Sequence, residues 1–125
     1  MDASISVRII VADVAAAVPF YTGPLGFALD AQTPAFAAVV KDGLKLLLSG
    51  PRSAGGRPLA DGTAQAPGGW NRVMLTVADI AAEIARLKAL GVHFRGEPVT
   101  GPAGTLAILD DPSGNPIELW QPAAH

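Results

Sequence analysis

The chain repeats itself. Val7-Arg8-Ile9-Ile10-Val11-Ala12-Asp13-Val14 returns 66 positions later as Val73-Met74-Leu75-Thr76-Val77-Ala78-Asp79-Ile80. Each copy runs into an Ala-rich helical stretch ending in Leu-Gly, at Leu25-Gly26 and Leu90-Gly91. Each half then closes on a strand-like run, from Gly43 to Pro51 and from Gly114 to Pro122. A repeat on this scale constrains the fold more than any local motif, because both copies must form the same unit. Equivalent residues then fall around a pseudo-two-fold axis, and a cleft between the units draws on both.

The length, 125 residues, suits one domain. We read residues 1–125 as a single domain of two modules, about 4–50 and 72–122, joined by a linker, 51–71. The linker is rich in Gly, Pro, Ala and Ser and without period, which suits either a surface connection or a flap over a ligand. A net charge of -2, with nine scattered Lys and Arg residues, provides no footprint for nucleic acid. Without cysteine there is no disulfide, thiolate ligand or cysteine nucleophile. The first residues carry no basic leader, and no apolar run is long enough to span a bilayer. These features point to the cytoplasm and to no membrane partner.

Each half reads as strand, helix, three strands, which makes the fold class α+β. In the first half the strands are Ile5–Val11, Phe27–Ala31, Phe36–Val40 and Leu44–Ser49, with Asp42-Gly43 turning between the last two. Asp13 caps the helix, and Pro19 implies that this helix starts late, so that proline falls in its first turn. In the second half Asp79 caps a helix with Ile80, Ile84 and Leu87 on one stripe, and Gly91 stops it. Val92–Arg95, Leu106–Leu109 and Ile117–Trp120 follow as strands.

Strand side chains alternate between faces. Val7, Ile9 and Val11 form one aliphatic row, as do Val73, Leu75 and Val77; Leu44, Leu46 and Leu48; and Ile117 and Leu119. These rows suit helix cover. The opposite rows are mixed: Ser6, Arg8 and Ile10; Arg72, Met74 and Thr76; Lys45, Leu47 and Ser49; Pro116, Glu118 and Trp120. Apolar area for affinity beside a few polar groups for orientation is the composition of a small-molecule site. The ligand-binding candidates are therefore Arg8, Ile10, Lys45, Leu47, Arg72, Met74, Glu118 and Trp120.

Asp111-Pro112-Ser113-Gly114-Asn115-Pro116-Ile117-Glu118-Leu119-Trp120 resembles the closing motif of the vicinal oxygen chelate superfamily, which includes glyoxalase I, extradiol dioxygenases and bleomycin-resistance proteins. Val11-Ala12-Asp13, Phe20-Tyr21 and Leu25-Gly26-Phe27 are similar to its N-terminal pattern. The resemblance implies tandem βαβββ modules forming a curved, cup-like mixed sheet with a helix-covered outer face, commonly in a homodimer. Its metal-dependent members take ligands from one position on the opening strand and one on the closing strand of each module. Carried over, these positions are Ser6, Leu47, Arg72 and Glu118, of which only Glu118 keeps a ligand type. Leucine has no donor and a guanidinium repels a cation, so no metal and no cofactor is expected. His93 and His125 do not restore a ligand set. The expected function is metal-independent binding of a small apolar or aromatic molecule carrying a polar group, with drug or antibiotic sequestration as one form. The alternative is a glyoxalase- or dioxygenase-like lyase, isomerase or oxidoreductase, with Glu118 catalytic at an unusual metal or proton-transfer site.

Overall fold

Two aspartates start the two helices. Asp13 accepts a hydrogen bond from the Ala15 amide, and Asp79 accepts one from the Ala82 amide, each in extended backbone just before the first helical residue. The computed structural model describes residues 5–124; Ser4 and His125 lie outside the described residues. The chain forms two compact units, Met1–Gly68 and Gly69–His125.

The first unit contains β1 (Val7–Ile10), α1 (Val14–Thr22), β2 (Ala28–Thr33), β3 (Phe36–Lys41) and β4 (Leu44–Ser49). Its sheet order is β1-β4-β3-β2, with β1 parallel to β4 and the other pairs antiparallel. The second unit contains β5 (Val73–Thr76), α2 (Ile80–Ala89), β6 (Val99–Thr100), β7 (Gly104–Asp110) and β8 (Pro116–Pro122). Its order, β5-β8-β7-β6, has the same pattern of parallel and antiparallel pairs. The 66-residue echo is therefore an echo of structure: each copy makes the edge strand that opens a βαβββ unit.

Register shows how close the equivalence is. Arg8 lies opposite Leu47 on β4, and Met74 lies opposite Glu118 on β8. On the closing strands the aliphatic rows are buried as alternation requires: Leu46, Leu48, Ile117 and Leu119 all lie in the core. On the opening strands Val7 is exposed and Ile9, Val73 and Leu75 are only partly covered, with full burial reached at Val11. The reason is topological. These strands lie at sheet edges, whereas α1 packs on β2, β3 and β4, and α2 packs on β8.

Three local expectations need correction. Helix α1 starts directly after its cap, so Pro19 sits in its interior. Pro19 cannot donate to the Ala15 carbonyl, but Ala15 is on the exposed side, where water can satisfy that oxygen. The turn closes beyond it through Gly23, whose amide donates to the Pro19 carbonyl at 2.9 Å. Strand β2 is displaced C-terminally from Phe27–Ala31 and carries an irregularity between Leu29 and Ala31. Val92–Arg95 forms no strand. It makes one bridge, Phe94 to Leu109, while the edge strand comes later at Val99–Thr100.

The connecting segment is ordered by its own hydrogen bonds. Buried Ser53 donates its hydroxyl to the Gly50 carbonyl at 2.7 Å and accepts from the Gly56 amide at 3.0 Å. Gln65 donates Nε2 to the Gly55 and Arg57 carbonyls. Among the described residues no helix is long and apolar enough to cross a membrane.

Candidate functional site

The second unit gathers Arg72, Met74, Glu118 and Trp120 on one sheet face. The β5–β8 register puts Met74 beside Glu118 and Thr76 beside Trp120. From β7, Ile108 pairs with Glu118 and Leu106 with Trp120, so the carboxylate sits in an apolar row. Arg72, just before β5, reaches it: Nε donates to Glu118 Oε1 at 2.9 Å, and Nη2 approaches the same oxygen at 2.8 Å. The side chains are 27% and 10% exposed. Nη1 also donates to the Trp70 carbonyl at 3.3 Å. Because two guanidinium nitrogens converge on one oxygen, Glu118 Oε2 has no hydrogen-bond partner among the described residues. Among the described residues no buried side-chain oxygen or nitrogen lacks a partner, so Oε2 keeps some contact with solvent. Met74 is 52% exposed.

In the first unit Arg8, Ile10, Lys45 and Leu47 likewise share a face. Lys45 is paired with Asp30 at 3.3 Å. Arg8 donates Nη1 to Ser49 Oγ at 2.8 Å, which satisfies a fully buried hydroxyl. Sequence alternation placed Arg8 on this face but not its surroundings. It borders an open cavity of about 430 Å³, together with Thr33, Phe36 and the Ser53–Gly55 turn. The β3–β4 pairing signals Phe36, which lies opposite Ser49; nothing in the local pattern points to Ser53–Gly55.

The positions that hold metal in metal-dependent relatives do not suit a divalent ion here. Leu47 offers hydrocarbon, Ser6 a neutral hydroxyl, and Arg72 a cation already paired with Glu118. Among the described residues no group of three or more His, Cys, Asp or Glu side chains is arranged to hold a metal.

His93 belongs to a separate polar cluster. Its side chain is 74% exposed, and Nδ1 lies 2.8 Å from Asp110 Oδ2. Arg95 donates Nε to Asp110 Oδ1 at 2.6 Å and Nη2 to the Gly114 carbonyl at 3.0 Å, and its guanidinium lies over the Trp70 ring. The neighbouring Asp111 turns the other way, accepting from the Ser113 and Asn115 amides to hold the turn before β8. Burial acts to raise the Asp110 pKa, but hydrogen bonds from Arg95 and His93, with their charges, hold it below the ordinary carboxylate value. The stabilisation is thus full above the unfolded value, about 3.9, and is lost as pH falls through the lower folded value. The stability difference between wild type and Asp110→Asn is expected to shrink as pH falls below about 4. Urea denaturation at each pH measures it, and a difference that persists undiminished well below about pH 4 contradicts the assignment.

With this geometry in place, comparison with known proteins is informative. Residues 5–119 match the model of the glyoxalase/bleomycin resistance protein/dioxygenase superfamily. The uncharacterized protein YurT of Bacillus subtilis (strain 168) is 33% identical over 121 residues, covering 90% of this chain and 94% of its own. A superfamily member from Sphaerobacter thermophilus DSM 20745 superposes with a TM-score of 0.73 at 30% identity, covering 93% of this chain and 94% of that one. TnmS3, an antibiotic binding protein from Streptomyces sp. CB03234, has a TM-score of 0.67 at 29% identity, covering 98% of this chain and 99% of its own.

Proposed function

The chain belongs to the glyoxalase/bleomycin resistance protein/dioxygenase superfamily, and within that fold we propose that it is a metal-independent binding protein for a small apolar or aromatic molecule bearing a polar group. One observation carries this reading. Where a metal-dependent relative needs two donors, at the opening and closing positions of the second unit, this chain has a guanidinium bound to a carboxylate. The pair neutralises the charge that would otherwise attract a cation. It also leaves Glu118 Oε2 to accept from a ligand, beside the apolar surface of Met74 and Trp120. Antibiotic sequestration is a specific form of this reading, supported by the similarity to TnmS3. The reading includes a homodimer in the cytoplasm, without nucleic acid or membrane partners.

Titration calorimetry with Zn²⁺, Ni²⁺ or Mn²⁺ is expected to show no stoichiometric site, while native mass spectrometry against an antibiotic and metabolite panel retains a bound compound. A tight divalent site that disappears in Glu118→Ala would overturn the reading. The open Oε2 also favours a second reading, proton transfer by Glu118 in an enzyme. Turnover of the bound compound that Glu118→Gln abolishes would decide for it.

A further inference from the structure

The arginines of this chain differ in what faces them. Arg72, Arg86 and Arg95 each meet a carboxylate, Glu118, Glu83 and Asp110 respectively. Arg8 meets none among the described residues. It gives one N–H to Ser49 Oγ, and a guanidinium carries five. It borders the cavity of about 430 Å³ whose other walls include Thr33, Phe36 and the Ser53–Gly55 turn.

The side-chain hydroxyls around that cavity are otherwise occupied. Ser53 is satisfied by Gly50 and Gly56, and the Thr33 hydroxyl accepts from the Ala35 amide. Spare side-chain donor capacity is thus concentrated on Arg8, which lines the cavity with Phe36. The turn is shaped to admit this side chain: a Cβ added at Gly55 would overlap the Arg8 guanidinium. Gly55 therefore leaves room for the charge where it sits.

We propose that this cavity is a subsite for a small monocarboxylate with a planar apolar body, the carboxylate held by Arg8 and the body lying against Phe36 and Ala54. The proposal rests on the binding reading above and specifies its polar group. One delocalised cation with a planar fork matches one carboxylate. A phosphate dianion would demand further positive charge, and Arg8 is the one charged side chain among the lining residues. An apolar body uses the remaining volume and strengthens the ion pair by excluding water.

The test compares 2-naphthoate with its neutral isostere 2-naphthamide by amide-resolved NMR titration of the full chain. Naphthoate is expected to shift the amides of Phe36 and residues 53–55 and to bind at least about tenfold more tightly than naphthamide. Arg8→Gln, which removes the charge, and Gly55→Ala, which displaces it, are each expected to weaken naphthoate about tenfold and leave naphthamide unchanged. Thermal melts confirm that both variants fold; Arg8→Gln alters an exposed residue and keeps the test open if Gly55→Ala does not. Equal affinity for the two probes, indifference to Arg8→Gln, or no naphthoate binding overturns the subsite. Binding that maps to Met74 and Trp120 instead overturns the subsite while the wider binding reading stands.

Discussion

Arg72→Ala is expected to lower stability by about 2–3 kcal/mol. The variant keeps the Glu118 carboxylate, 10% exposed, in a row with Met74 and Ile108, but removes both nitrogens that converge on Oε1. Breaking a fully buried pair costs about 3–5 kcal/mol; the 27% exposure of Arg72 and the open Oε2 place this one lower. The paired replacement Arg72→Met with Glu118→Leu removes both charges and fills the same space. It is expected to lie within about 1 kcal/mol of wild type. Urea midpoints at constant m measure both. If single and double variants lose equal stability, the pair is not a coupled unit. If the double variant is stable but still retains the same ligand, Arg72 and Glu118 do not orient it.

Tyr21→Ala is expected to cost more, about 3–5 kcal/mol. Tyr21 is completely buried and meets Phe20 and Phe27 edge-on, with ring centroids 5.4 and 5.9 Å away. It joins α1 to the segment entering β2, where the Phe27 amide also donates to the Tyr21 carbonyl at 2.9 Å. Truncation opens a cavity among groups that cannot collapse without moving the helix. Phe20→Ala, at a half-buried position, is the control and is expected to cost less than half as much. Equal losses at the two positions would show that Tyr21 does not anchor the first core.

Much of this architecture was legible because the signals were periodic and duplicated. Two capping aspartates and four aliphatic rows specified the helix starts and the helix-facing sides of the closing strands, and Leu90-Gly91 marked the end of α2, whereas α1 ends at Thr22, before Leu25-Gly26. The misses have local causes. Pro19 suggested a late helix start only if its missing bond had to be buried, and Ala15 lies on the exposed side. Val92–Arg95 has the apolar content of a strand, yet it forms only the Phe94–Leu109 bridge before the chain reaches Gly96 and Pro98. At the site, alternation identified faces and brought Arg72 and Glu118 together. It could not reveal that both nitrogens choose Oε1, because rotamers are set by neighbours such as the Trp70 carbonyl. Nor could it reveal the cavity at Arg8, whose third wall comes from a segment with no period.

The equivalent rungs Arg8–Leu47 and Met74–Glu118 are inverted copies of one another: a cation opposite hydrocarbon in one, hydrocarbon opposite an anion in the other. The backbone was duplicated, but the chemistry has diverged into complements. One repeated register position thus carries opposite chemistry in the two units.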